Sequence, residues 1–270
     1  MTKVKDIFIL SFPEARNVVV SGDIHGDFNI LVYKLCVQYQ MKDTVLIVAG
    51  DCGFGFEKKE YYEQMAKHNA KRMNEANNWI VFVRGNHDNP IYFDGHQFKH
   101  KRFVAVPDYT ILSACNHTIL CVGGGISIDR RYRMEEWKKY CAKHRLRPDS
   151  EDKFYKNFYW LDEPPVYNDE MLTLINQKFA IDTVITHTAP EFCELISKNG
   201  LHSFAASDEN LLKDVEDERT TMTKLYDRLV HDAHPLTHWY YGHFHQSWHS
   251  SIEGVLFKML DIMEFTPINY

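Results

Sequence analysis

Val18-Val19-Val20-Ser21-Gly22-Asp23-Ile24-His25-Gly26 decides how the rest of the chain is read. Three successive valines form the kind of short β-branched run that reads as a buried strand. Glycine, aspartate and histidine follow at once. The same grammar recurs four times. It appears in Val45-Leu46-Ile47-Val48-Ala49-Gly50-Asp51-Cys52-Gly53 and in Val81-Phe82-Val83-Arg84-Gly85-Asn86-His87-Asp88. It returns in Val184-Ile185-Thr186-His187 and in Trp239-Tyr240-Tyr241-Gly242-His243-Phe244-His245. Each apolar run ends in Asp, Asn or His. In an open α/β sheet, ligands bind beyond the carboxyl ends of the strands, and here every strand delivers polar residues to that end.

Working outward, further strands are expected at 103–106, 118–122 and 255–260, beside 17–20, 44–48, 79–83, 183–185 and 238–241. Between the first three runs lie helical patterns. Phe28, Leu31, Val32, Leu35, Cys36 and Tyr39 share one face, and Tyr61, Tyr62, Met65, Ala66, Asn69 and Met73 share another. Strands alternating with helices predict an α/β fold with parallel neighbours and right-handed crossovers. The charged, aromatic segment 129–165 breaks this rhythm and is expected to be a helical insertion folding over one edge. A second charged helical region is expected at 211–231. With no repeat, linker or low-complexity stretch, residues 1–270 are read as one domain.

Composition narrows the classes. The chain has 270 residues, enough to bury a large core. Its 31 Lys and Arg against 37 Asp and Glu give a net charge of −6, so there is no global basic footprint for nucleic acid. The six cysteines form no CxxC pair, which points to reduced thiols in a cytoplasmic protein. The first residues, MTKVKDIFIL, do not read as a secretory leader, and no apolar stretch nears the roughly 20 residues that span a bilayer.

The glycines before Asp23, Asp51, Asn86 and His243 are expected to let the backbone turn sharply. In Asp23-x-His25 and His243-x-His245, a spacing of two would put both side chains on one side of an extended segment, converging on one metal. Mixed carboxylate, imidazole and amide donors suit Mn, Fe or Zn better than Ca or Mg. No cysteine stands where a thiolate zinc site would need one.

The blocks GDIHG, GDCG, GNHD, TH and GHFH, in that order from Gly22 to His245, resemble the calcineurin-like metallophosphoesterases. That resemblance implies a sandwich of two mixed β-sheets flanked by helices, a four-layer αββα arrangement. It implies that Asp23, His25 and His245 hold one metal ion and Asn86, His187 and His243 a second, with Asp51 bridging them. It implies that His87 is the general acid or the transition-state stabiliser, and that a metal-bridging hydroxide attacks the phosphorus of a phosphate ester. The implied substrates are a phosphorylated small molecule, a nucleotide or a phosphoprotein. A phosphomonoesterase is expected. A phosphodiesterase or nuclease on the same site is the alternative, and a non-catalytic scaffold of the same fold is a weaker one.

The sequence also departs from part of that family. The protein Ser/Thr phosphatases carry GDxVDRG, whose arginine grips the phosphate, whereas this chain has Gly50-Asp51-Cys52-Gly53-Phe54-Gly55-Phe56. Asp88 stands where that branch has glutamate. The compact GNHD form, with Val122-Gly123-Gly124-Gly125-Ile126-Ser127-Ile128-Asp129-Arg130-Arg131 and Trp160-Leu161-Asp162-Glu163, is more similar to small bacterial and phage members. Arg130 is the expected phosphate contact, with Arg131 and Arg133 on a solvated helix face. Arg84 is expected to be a structural donor and Cys52 a small packed residue. His68, His96, His100, His117, His144 and His202 are expected on the surface or in loops, and His231, His234, His238 and His249 away from the site.

Overall fold

The computed structural model describes residues 7–147, 155–193 and 200–268. Twelve strands follow in chain order: Ile9–Ser11 (β1), Asn17–Ser21 (β2), Thr44–Val48 (β3), Trp79–Phe82 (β4), Phe103–Ala105 (β5), Thr110–Ala114 (β6), His117–Val122 (β7), Thr183–Thr186 (β8), His238–Tyr241 (β9), Trp248–Ile252 (β10), Val255–Met259 (β11) and Phe265–Pro267 (β12). Among the described residues the α-helices are Phe28–Tyr33 (α1), Lys59–Glu75 (α2), Arg130–His144 (α3), Asp169–Asn176 (α4), Leu201–Ala205 (α5) and Leu211–His231 (α6).

The strands form two mixed sheets. One runs β12-β2-β3-β4-β5, and the other runs β1-β6-β7-β8-β9-β11-β10. Side chains alternate across each strand, so one strand feeds two cores. Val18 and Val20 of β2, with Val45 and Ile47 of β3, meet Ile119, Cys121, Ile185 and Tyr240 of the other sheet. Val19, Leu46 and Val48 turn outward onto Phe28, Leu31, Tyr62 and Met65 of α1 and α2. On the far side, Leu120, Val122, Val184 and Trp239 pack on Leu172, Ile175, Met222 and Leu225 of α4 and α6. The result is helix, sheet, sheet, helix. Each fully buried Val, Leu or Ile contributes about 1.5–3 kcal/mol, which holds the strand ends in fixed positions.

Register aligns those ends. Ser21 pairs with Val48 and Val48 with Phe82, so β2, β3 and β4 release their loops at one level. Val122 pairs with Thr186 and Ile185 with Tyr240, which does the same for β7, β8 and β9.

The expected faces of α1 and α2 are buried at Phe28, Leu31, Val32 and Leu35 and at Tyr62, Met65, Ala66, Asn69 and Met73. Tyr39 leaves its expected face. After Tyr33 the helix widens to a π-helical stretch at Lys34–Gln38, and Tyr39 turns out onto Phe265, 5.4 Å between ring centroids. The added turn width shifts the register of the face. Helix α6 occupies 211–231, where a charged helix was expected.

The segment 129–165 lies outside the described residues at 148–154. Its described part includes helix α3, Arg130–His144. It lies against the loops beyond the strand ends, with Tyr155 N donating to Gly55 O (3.0 Å). Arg84 Nη1 donates to the carbonyls of Asp162 (3.1 Å) and Glu163 (2.9 Å).

Candidate metal centre

Backbone hydrogen bonds tie the loops together before any ligand is considered. Ile24 N and His25 N donate to Asp51 O (3.1 and 2.8 Å), joining the loop after β2 to that after β3. Asp88 joins the loop after β3 to that after β4. Its buried carboxylate accepts from the amides of Gly85 (2.8 Å), Cys52 (3.0 Å), Gly53 (2.7 Å) and Phe54 (2.9 Å). Burial, and then the nearby Asp51, push the Asp88 carboxyl up to about 6. This clasp was missed in the sequence, where Asp88 read only as the end of a block. A carboxylate beside glycine-rich turns, which expose unpaired amides, was the available signal.

Two groups of donor atoms converge on these loops. In the first, Asp23, His25, Asp51 and His245 bring their donor atoms within 4.8 Å of one another. His25 Nε2 faces His245 Nε2 at 3.0 Å, and Asp23 Oδ2 lies 3.0 Å from His245 Nε2. In the second, His187 Nε2 lies 2.9 Å from Asn86 Oδ1 and 3.3 Å from Asp51 Oδ1. The His243 ring stands beside it, 4.8 Å from the His187 ring between centroids. Asp51 is the carboxylate the two groups share.

Spacing is not what brings these pairs together. His25, His243 and His245 are not extended; their φ values are 45°, 69° and 51°. Asp23 and His25 still converge, but His243 and His245 go to different groups. Asp51 also lies in the left-handed region, at 45°. Such conformations cost on the order of 1–3 kcal/mol each, and they persist only where packing over-determines them. The glycines serve close approach more than turning. Among the four that precede a site residue only Gly50 has a positive φ, 96°. A Cβ at Gly242 would stand 2.1 Å from Asp23 Oδ1, and one at Gly85 2.1 Å from Asp51 N.

The donor set fits metal ions. His187 Nδ1 donates to Ala49 O (2.8 Å), so in the neutral ring Nε2 carries the lone pair, aimed at two oxygens that are themselves acceptors. Lone pairs facing lone pairs in a buried site call for a cation between them. Asp23 Oδ2 is buried and accepts no hydrogen bond among the described residues. Protons answer the same demand in the metal-free protein. Burial opposes a charge on His187, but Asp51 and Asp23 overcome it and push the imidazole up to about 10. Burial likewise opposes the Asp51 charge, yet His87 and His187 hold its carboxyl well below the usual range.

A cavity of about 300 Å³ opens over the site, lined by Asp51, Asn86, His87, His243 and His245 on one side. His87 N donates to Asp51 Oδ1 (2.8 Å), and its ring lines the cavity beside the ligand cluster, with Nε2 3.7 Å from Asp51 Oδ2 and the ring centroid 5.2 Å from that of His25. Burial pushes the His87 imidazole down to about 3, with Asp51 pulling it up and Arg133 adding to the fall.

Arg133, not Arg130, reaches the site. Arg130 is spent on Asp208 (Nε to Oδ2, 2.6 Å; Nη2 to Oδ1, 3.0 Å) and on Asp214 (2.6 Å), away from this cavity. The expectation for Arg130 failed because Asp208, just before α6, and Asp214, in its first turn, hold the guanidinium. Arg133, one turn along α3, is buried and not solvated. Its Nε is held by Asp129 (2.7 Å) and its Nη2 meets His87 Nε2. Its Nη1 is buried with no partner among the described residues. Position 133 falls on the inward face of α3 with Arg130 and Trp137, a spacing the sequence contained.

Arg84 is a structural donor, with every contact to Asp108 or to the 162–164 carbonyls. Cys52 is buried, its Sγ donating to Val83 O (3.2 Å), and burial pushes the thiol well up. His117 departs from its expectation. It is buried at the start of β7, its Nδ1 2.8 Å from Asp182 Oδ1, because that carboxylate also caps Thr118 N (2.6 Å). Among the described residues no helix is long and apolar enough to cross a membrane.

The chain has 12% identity and a TM-score of 0.48 with TT1561 of Thermus thermophilus, over 94% of this chain and 99% of that one. It has 10% identity and a TM-score of 0.48 with a dimetal phosphatase from Danio rerio, over 93% and 88%. With the phosphopantetheinyl hydrolase from Mycobacterium tuberculosis the values are 14% and 0.39, over 91% and 89%. No curated protein sequence matches significantly. The model of the calcineurin-like phosphoesterases matches residues 16–247, which include every donor described above. With that match and the two-sheet fold, the chain belongs to the dinuclear metal-dependent calcineurin-like phosphoesterases and is a hydrolase of phosphoester bonds.

Proposed function

We propose that the protein is a phosphomonoesterase, and the observation that carries the reading is Arg133. The residue lines the same cavity as His87 and several of the metal donors, and its buried Nη1 has no partner among the described residues. A monoester dianion presents terminal oxygens to such a guanidinium, which recognises phosphate by a charged fork. The residues that would hold one metal ion are Asp23, His25 and His245. Asn86, His187 and His243 would hold the other, and Asp51 would be anionic toward both. Mixed nitrogen and oxygen donors favour Mn, Fe or Zn. When bound, such a pair supplies Lewis acidity and an activated water nucleophile.

The chain's own residues do the rest. Asp51 offsets the repulsion of two cations. Arg133 orients the phosphoryl group, and Asp129 fixes the guanidinium plane. His87, held by its amide to Asp51, is kept neutral by burial; a phosphate dianion beside it raises its proton affinity, and with that proton it can protonate the leaving oxygen or stabilise the equatorial oxygens. The nuclease alternative asks for a basic groove. Arg130 is instead committed to Asp208 and Asp214, which leaves Arg133 as the arginine of α3 at the cavity and supports a compact anion. Six free thiols fit a reducing compartment, the cytoplasm.

The deciding experiment loads the protein with Mn²⁺ and compares p-nitrophenyl phosphate with its bis-p-nitrophenyl diester. Faster hydrolysis of the monoester supports the reading. Faster hydrolysis of the diester replaces it with a phosphodiesterase, and inertness toward both leaves the scaffold.

A further inference from the structure

We propose that the ester's alcohol is a compact apolar group, an aryl or branched alkyl of about one ring, and that Val215 sets this preference. The inference rests on the phosphate of the substrate binding at the metal centre.

The apolar part of the cavity wall is Ile126, Ile128, Leu201, Val215 and Phe244. The polar groups interspersed with them are already spent inside the protein. Ser127 Oγ accepts from Asn86 Nδ2 (2.8 Å) and donates to Glu163 Oε2 (2.6 Å). Glu218 accepts from Ile126 N and from Thr188 Oγ1, each at 2.5 Å. Asp129 accepts from Arg133 Nε (2.7 Å). Among the described residues no lysine lines the cavity. A sugar or a nucleoside would therefore bury hydroxyls against this wall without partners, a cost that an apolar alcohol avoids.

Size points the same way. An apolar cavity of roughly 150 Å³ binds benzene. A cavity of about 300 Å³ accordingly takes a phosphoryl group and one ring, whereas a base and a ribose together would extend past its mouth. Val215 owes its position to the packed face of α6. Leu211 and Glu218, four residues before it and three after, are buried. This fixes the helix and presents Val215 to the cavity mouth.

The test compares two non-hydrolysable ligands whose phosphonate groups are alike, benzylphosphonate and 2,3-dihydroxypropylphosphonate. Calorimetric titration of the Mn²⁺-loaded protein should show the benzyl compound binding about tenfold or more tightly, the usual scale for an apolar group in an apolar pocket. In Val215→Asp, with Val215→Ser as a milder second variant and circular dichroism as the check of folding, that ratio should narrow. Equal affinities, or a preference for the diol, overturn the proposal. A preference that survives both variants removes Val215 from it. Benzyl preference without hydrolysis of benzyl phosphate leaves the ligand class standing and removes the phosphomonoesterase reading.

Discussion

Asn86 is oriented by Ser127. The serine Oγ accepts from Asn86 Nδ2 at 2.8 Å, so Asn86 Oδ1 is left pointing at His187 Nε2, 2.9 Å away. Ser127 is held in turn by Glu163, which accepts from its Oγ (2.6 Å) and its N (2.7 Å). A metal ligand's outer partners typically matter 10–100-fold in affinity. Ser127→Ala should therefore weaken one of two Mn²⁺-binding steps by about that factor and leave the other near its wild-type value. Calorimetric titration reads both steps. Two unaltered steps would show that Asn86 needs no such support.

Glu163 makes a separate prediction, for stability. Burial pushes its carboxyl up to about 8 from an ordinary 4.5. The charged groups that act on it are Arg133 and Glu218, with Ser127 donating to it. The folded state thus holds the proton more tightly than the unfolded chain. The resulting stability is fully present below about 4.5 and is lost as pH rises through about 8. Glu163→Gln cannot titrate, so its stability should fall less steeply between pH 5 and 8, by no more than about 5 kcal/mol across the window. Urea melts at several pH values, with chelator present to keep metal out, measure the slopes. Parallel slopes would count against the buried carboxyl.

The core strands and the clustering of the candidate donor side chains were legible because both depend on local signals. Buried parallel strands need uninterrupted apolar runs, and Thr44–Val48 and His238–Tyr241 lie at the expected bounds. Each run carried its donors at its end. β1, β6, β10 and β12 were not legible. Trp248–Ile252, for one, is a half-exposed WHSSI whose alternation is polar, and it is a strand because β11 pairs with it. Arginine roles were illegible for another reason. Arg130 and Arg133 differ by which aspartates stand near them, and Asp208 and Asp214 are about 80 residues away in the chain. Only the fold brings them close.

The two arginines should accordingly fail in different ways. Arg130→Met strands Asp208 and Asp214 without their shared cation and should cost about 1–3 kcal/mol of stability, with the turnover of the folded fraction little changed. Arg133→Met should instead raise KM or lower kcat, by about 10–100-fold for the loss of a charge-assisted contact of a few kcal/mol. Thermal melts and monoester kinetics on both variants separate these outcomes. A kinetic defect confined to Arg130→Met would return Arg130 to the site.

Asp51 should be the least replaceable donor. It is the carboxylate common to both groups, near His25 and His245 on one side and 3.3 Å from His187 on the other. Asp51→Asn removes the anion that screens two cations, whereas His245→Ala removes a neutral donor at the exposed rim of one group. Elemental analysis after Mn²⁺ loading should find both ions depleted in Asp51→Asn and mainly one in His245→Ala. Equal, modest losses in the two variants would argue against a shared carboxylate.

His87 tests chemistry apart from binding. It follows Asn86 directly, but its amide is tied to Asp51 and its ring faces the cavity beside Arg133. His87→Asn should keep both metal ions, since the amide contact does not depend on the side chain. It should still lose roughly 10²–10⁴-fold in kcat, the usual scale for a positioned acid or base. Leaving-group dependence then identifies the role. As an acid, His87 matters most for an alkyl phosphate, whose alkoxide must be protonated as it departs. It matters little for p-nitrophenolate, which leaves unaided. As a stabiliser of the equatorial oxygens beside Arg133, it matters equally for both. Measuring kcat on one ester of each kind, with metal content checked by elemental analysis, distinguishes the two. Wild-type rates on both esters would show that the ring only supports the loop, and would leave Arg133 as the arginine that meets the phosphate.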